Sequence, residues 1–399
     1  MKIVIAPDSF KENLTSLEVA SCIEKGIKRV LPKANCIKIP MADGGEGTVQ
    51  SLVDATGGKI LKKQVVAPLG NKVTARYGML GDGKTAVIEM AEASGLPLVP
   101  KNKRNPLKLT TYGTGQLIKA ALARGAETII IGLGGSATVD GGAGMAQALG
   151  VKFRDKRGKI IKAYATGGML KDITAIDMTS LDSDIKNTRF IIASDVTNTL
   201  CGTKGAAAVF GPQKGATPAM VRTLDKNLRH YGHIIQKELK KKVINLKGAG
   251  AAGGLGAGLV AFTGAQMKRG VDLIVEITGL EKYLKGADIA ITGEGRVDFQ
   301  TAFGKTPAGV AKAARRYKVP CIAIGGGLAD DARGVFEHGI SGLESAAARD
   351  MSLEEAIRLS RKHLELAGER VIRMLLIGKG LVKKKKRQPV PTLGVLEIK

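Results

Sequence analysis

The chain has 399 residues, enough for two or three domains, and its 44% hydrophobic content can fill sizeable cores. Four widely spaced cysteines (Cys22, Cys36, Cys201, Cys321) and four histidines lack ligand spacing, which argues against a zinc site, a disulfide framework or a histidine-built metal centre. The formal net charge of +26 favours anionic partners, but the basic residues are scattered and no Trp is present to stack on bases, so a specific nucleic-acid binder is not indicated.

In chain order, "KIVIAP" (2–7) reads as a strand rather than a basic leader with a long apolar core. Thr15 and Glu18 form a capping-box pattern, after which Val19, Ile23, Ile27 and Val30 line one helix face until Pro32. Further strands are predicted over 35–41, 85–91, 127–133, 189–195, 288–294 and 320–326, each a short β-branched run ending in a polar or glycine-rich segment. Such runs suit parallel strands covered on both faces. Residues 248–267 carry no charge, but seven glycines in twenty make them a buried loop and helix start, not a membrane span. Ser352 and Glu355 open a last helix, with Ile357, Leu364, Ala367, Val371 and Leu375 along one side. The run "VKKKKRQPVP" near the C-terminus reads as a solvated basic tail.

The alternation of strands and helices predicts an α/β fold. What recurs is a strand followed by a small polar or acidic loop: "APDSFK", "PMADGGEGT", "GLGGSATVDGG", "ASDVTN", "ITGEGRVD" and "IGGGLADD". In open parallel sheets, ligands bind beyond the carboxyl ends of strands, so these loops are expected to meet in one crevice. Gly132-Leu133-Gly134-Gly135-Ser136-Ala137 also fits a dinucleotide fingerprint, with Asp155 as the ribose acid. Carboxylates, glycines and isolated lysines together instead suit phosphoryl transfer, in which backbone N–H groups and lysines neutralise phosphate and acids hold Mg²⁺. No P-loop or protein-kinase signature is present.

Those motifs, with "TAVIEMAEASGL", "NPLKLTTYGTGQLI", "FGPQKGA", "GAGAAGGLG" and "ITGEGRVDFQTAFGKTPAGVA", resemble the bacterial type I glycerate kinase family from residue 1 to about 376. The resemblance implies Mg²⁺- and ATP-dependent phosphorylation of D-glycerate, usually at the 2-hydroxyl, with glycerate 3-kinase activity or a related hydroxy acid as the alternative. It implies two Rossmann-like or flavodoxin-like α/β domains, one discontinuous, with the active site in the interdomain cleft. We divide the chain into 1–70 plus 285–376, an inserted 71–284, and a basic tail over 377–399. A cytoplasmic enzyme is expected, with no membrane partner; the sequence leaves a homo-oligomer open. The sequence departs from the family pattern in three places: the family commonly has Asn at Val139, Gly-Ser at Glu12-Asn13 and Pro at Thr199.

On this reading Asp195 binds Mg²⁺ or takes the glycerate proton, with a turn-capping Asp as the plain alternative, and Lys11 reaches a phosphate or the glycerate carboxylate. Asp8, Ser9, Asp43, Gly44 and Glu46 are candidate substrate contacts, though Asp43 and Glu46 equally suit a helix N-terminus. Arg296 is the natural bidentate partner for a carboxylate, against the alternative of an internal Arg–Glu pair. Glu294 and Asp298 join Asp195 as candidate metal ligands. Gly134, Gly135, Ser136, Thr138 and Asp140, with Lys214, Gly253, Gly254 and Lys305, form the candidate phosphate and nucleotide set. The dinucleotide fingerprint then becomes a false positive and Asp155 an ordinary turn residue.

Overall fold

The computed structural model describes residues 1–302 and 304–387; positions 388–399 of the expected basic tail lie outside the described residues. The strands in chain order are β1 (Lys2–Ile5), β2 (Asn35–Lys38), β3 (Lys59–Val66), β4 (Lys72–Met79), β5 (Thr85–Glu89), β6 (Thr128–Gly132) and β7 (Lys152–Arg154). They continue as β8 (Ala175–Asp177), β9 (Arg189–Ala193), β10 (Gln266–Lys268), β11 (Ile289–Val297), β12 (Cys321–Leu328) and β13 (Gly342–Ser345). One sheet has the order β13-β12-β11-β1-β2 and is parallel throughout. The second runs β10-β9-β6-β5-β4-β3, parallel from β10 to β5 and antiparallel from β5 to β3. β7 and β8 form a separate antiparallel ribbon.

All seven strands predicted from sequence are present. β3 and β4 were not predicted, because "KILKKQVV" alternates lysines with partly buried residues and lacks a continuous apolar run. β3 falls inside the 1–70 segment of the sequence-based division, yet it pairs along its length with β4. That stretch therefore belongs with the second sheet.

Local chemistry sets the helix ends. The Thr15–Glu18 capping box opens helix Ser16–Val30, which buries Val19, Ile23 and Ile27. Ser352 caps Leu353–Arg358, but the chain breaks at Leu359 and a second helix runs Ser360–Arg387. Leu364, Ala367 and Val371 are buried as expected, whereas Ile357, on the far side of the break, is not. Residues 377–387, taken as tail from sequence, continue this helix. The uncharged 248–267 stretch is a buried helix, Ala251–Thr263, that starts with Ala252, Gly253 and Gly254 in left-handed conformation. No described helix is long and apolar enough to cross a membrane.

The sheets are joined by more than loops. Helix Thr48–Thr56 packs on β3, β4 and β5, while Gly270–Thr278 packs on β9 and on Thr306–Arg316. One hydrophobic cluster consequently includes Val4 and Ala290 of the first sheet together with Val87, Ile130 and Ile191 of the second. Near the strand ends the connection is backbone against backbone. A Cβ on Gly132 would lie 2.6 Å from the Gly44 carbonyl oxygen, and one on Gly270 would lie 1.9 Å from that of Asp43. No side chain other than hydrogen fits between these segments.

Gly270→Ala should therefore destabilise the fold by about 2 kcal/mol or more. Thermal denaturation checks this, and kcat/KM should fall with it because Asp43 is displaced; an unchanged melting temperature would show that the crossing is slack.

Candidate active site

Loops from the carboxyl ends of β1, β2, β11, β12 and β13 surround a cavity of about 850 Å³, whose lining includes Asp8, Lys11, Asp43, Arg296 and Lys305. A second cavity of about 660 Å³ opens over β5 and β6 and is lined by Glu46, Glu89, Gly132, Gly134 and Gly135. Lys11, Glu12 and Asp43 border both, so the two are arms of one cleft between the sheets.

Asp8 sits at its centre, 6% exposed. The Thr306 hydroxyl, at the start of helix Thr306–Arg316, donates to its Oδ2, and the Ser9 backbone N–H donates to Oδ1 at 2.7 Å. Burial, with the charge of Asp43, pushes the Asp8 carboxyl up to about 7, despite opposing contributions from these donors and Lys11. Asp43 is held by its own turn, its Oδ1 accepting from the Gly45 N–H at 2.8 Å. Its charge also raises Asp195, after burial as the larger cause.

Around this acidic centre the cations divide in two ways. Lys305 lies 3.2 Å from Glu294 and 3.5 Å from Asp298 and is engaged by both. Arg296, exposed on the cavity wall, makes no ion pair among the described residues, so the internal Arg–Glu pairing weighed from sequence does not form. Glu294 keeps one buried oxygen, Oε1, without a hydrogen-bond partner among the described residues.

The structure thus brings Asp8, Ser9, Lys11, Asp43, Glu294, Arg296, Asp298 and Lys305 together in one arm, and Glu46, Gly134 and Gly135 in the other. Several sequence candidates lie elsewhere. Asp195 lines neither arm and is paired with Arg269 at 3.3 Å. Among the described residues no three His, Cys, Asp or Glu side chains are grouped so as to hold a metal ion, so Asp195, Glu294 and Asp298 do not stand together as one set.

Asp140 is fully buried and accepts from Thr111 Oγ1 and N–H, both at 2.8 Å, and from the N–H groups of Gly142 and Gly144. It fastens the turn into helix Ala143–Ala148 and lines neither arm of the cleft. Lys214, 1% exposed, donates to Ser136 Oγ at 2.7 Å and to the Thr138 carbonyl at 2.8 Å, and burial pushes its amine down to about 7. Ser136 and Thr138 are consequently held by the Lys214 amine, and neither lines an arm of the cleft. Gly253 and Gly254 pack on that loop as well: a Cβ on Gly253 would lie 1.9 Å from the Thr138 carbonyl oxygen. Gly44 lines neither arm and forms the crossing with Gly132 and Gly270. Asp155 closes a turn by accepting from the Arg157 and Lys159 N–H groups, as the sequence reading expected.

Two residues that the sequence reading did not single out belong to the site. Thr306 fixes Asp8. Glu89, at the carboxyl end of β5, accepts the Val49 N–H at 2.8 Å at the start of helix Thr48–Thr56, and burial pushes it up to about 7. The signal was present for Glu89, an acid closing a strand like the others.

An open cleft of strand-end loops, with buried carboxylates, bare glycine backbone and an uncommitted guanidinium, defines an α/β enzyme acting on small anions. Residues 3–376 match the glycerate kinase family, and the chain belongs to that family. It is 56% identical to a glycerate kinase of Halalkalibacterium halodurans over 92% of this chain and 97% of that one. It is 49% identical to the glycerate 2-kinase of Escherichia coli, covering 95% of this chain and 99% of that one. A crystal structure from Salmonella typhimurium LT2, provisionally described as glycerate kinase 2, superimposes with a TM-score of 0.87 at 48% identity, covering 95% and 99% of the two chains.

The raised Glu89 has a measurable consequence. Because its folded value lies above the ordinary 4.5, wild-type stability falls as pH rises from about 4.5 to about 7 and stays low above that. Glu89→Gln keeps the acceptor for Val49 without the charge. Its stability advantage should be absent near pH 4, where both forms are neutral, and reach on the order of 2 kcal/mol by pH 8. Chemical denaturation at the two pH values checks this; a pH-independent difference would contradict it.

Proposed function

We propose that the chain transfers the γ-phosphoryl group of Mg·ATP to D-glycerate and yields 2-phosphoglycerate, as a cytoplasmic enzyme. The observation that supports it most is the pairing of an uncommitted cation with a buried acidic centre in one cavity: Arg296 and Lys11 beside Asp8 and Asp43. A glycerate carboxylate takes the Arg296 fork in two parallel charge-assisted bonds, which fixes the hydroxyls relative to the rest of the site. Lys11, at the junction of the two arms, is placed to neutralise a transferring phosphoryl group.

The carboxylates fit Mg²⁺. The charge of Asp43 adds to burial in raising the cost of ionising Asp8, and a cation bound beside both would offset it. Mg²⁺ commonly takes one or two protein carboxylates and completes its shell with phosphates and water, so a three-residue cage is not required. Asp8 and Asp43 are the residues that would hold it, and when bound it would neutralise phosphate oxygens. A loose phosphoryl-transfer transition state places its main demand on positioning and charge, and little on a separate base. Thr306 and the Ser9 N–H orient Asp8 for that work, and the Gly44–Gly132 contact holds Asp43 in place.

Phosphorus NMR of the protein with Mg·ATP and D-glycerate should show a new phosphomonoester coupled to a CH, the signature of the 2-phosphate; coupling to a CH₂ would instead indicate the 3-phosphate. Unchanged ATP with folded protein would overturn the reading. Arg296→Ala should raise the KM for glycerate about tenfold or more while moving the KM for ATP little, as loss of a charge-assisted pair requires. The reverse pattern would place Arg296 on the nucleotide.

A further inference from the structure

The larger arm of the cleft does not end at its charged centre. Beyond Arg296 and Lys305 its wall is built from Leu328, Met351, Leu353, Ala356 and Ile357. Leu353 is 78% exposed, Ile357 42% and Leu328 39%. Together with Met351 they belong to none of the hydrophobic core clusters of the described residues. The smaller arm differs. Its Ile60 and Val73 pack into the cores beneath them, and Glu12, Glu46, Glu89 and Glu92 crowd its lining.

We propose that this apolar end receives the purine base of the nucleotide, with the phosphates reaching toward Lys11, and that the smaller, glycine-floored arm receives the far side of the acceptor. The assignment rests on the kinase reading above. Three features carry it. A volume of about 850 Å³ suits a nucleotide and far exceeds a three-carbon acid. A neutral flat ring gains by covering apolar side chains that the fold leaves uncovered, whereas glycerate, charged and hydroxylated, gains nothing there. The patch is also continuous with the cations: Gly327 pairs with Arg296 across β12 and β11 and is followed by Leu328, and a Cβ on Gly327 would meet nothing within 4 Å. A bulky ligand therefore has open backbone to lie across.

Leu353 and Ile357 both belong to the short helix Leu353–Arg358, and both line the cavity.

The test is ADP affinity by titration calorimetry, with KM for ATP and for D-glycerate measured alongside, on Leu353→Asp and Ile357→Asp. Leu353 is so exposed that its replacement leaves the fold unburdened, and Leu353→Ala serves as the milder variant. The expected result is ADP binding weakened about tenfold or more in both Asp variants, with KM for ATP raised in parallel and KM for glycerate within about twofold. Unchanged ADP affinity, or a rise confined to KM for glycerate, overturns the assignment. If wild-type protein binds ADP in a Leu353-dependent manner but forms no phosphoglycerate, the base site stands and the kinase reading fails.

Discussion

The placement of every cleft residue depends on a contact that involves no side chain. The Asp43–Gly47 loop from the first sheet lies against Gly132 and Gly134 of the second and against Gly270 at the start of a shared helix. At Gly132 and Gly270 the approach is too close for any Cβ, so glycine is dictated there by volume, apart from any ligand. Because the crossing fixes Asp43, it also fixes the charge that raises Asp8 on one side and Asp195 on the other. Packing at the junction thereby sets the electrostatics of the centre.

That centre is organised by scarcity of positive charge in a protein rich in it. The chain carries a net +26, yet the buried carboxylates Asp8, Glu89 and Glu294 are all raised, with burial the largest cause for each. Cations present in the cleft are either spoken for, as Lys305 is by Glu294 and Asp298, or held free at its surface, as Arg296 is. A site arranged in this way attracts an anion through the diffuse field and retains room for a metal-bound phosphate at its core.

How much of this was legible follows from the kind of signal each part leaves. Most of the seven strands read from sequence were legible because parallel strands covered on both faces need continuous apolar runs, while β2 lies at the sheet edge and is only partly buried. β3 and β4 escaped because they form the antiparallel flank and carry lysines and arginine between partly buried residues. The loops were found for the right reason, position at strand ends, but residue types alone could not tell a lining side chain from one that braces the loop behind it. Asp140 and Lys214 have the chemistry of ligand contacts and spend it on backbone and hydroxyl groups of the Gly134–Asp140 segment. Glu12 shows the opposite limit. It stands where the family pattern has glycine and adopts a φ of 60° at the junction of both arms, a backbone state that costs a non-glycine residue about 1 kcal/mol.

The shared core between the sheets bears on how the molecule moves and melts. Two lobes linked by a hinge each keep a private core and can swing apart or unfold in turn. Here Val4 and Ala290 belong to the same apolar cluster as Val87 and Ile130, with helices Thr48–Thr56 and Gly270–Thr278 spanning the gap. Separating the sheets would expose part of that cluster to water, which opposes an independent swing or melting of either one. The two sheets are then expected to unfold together, and calorimetry should record a single cooperative transition.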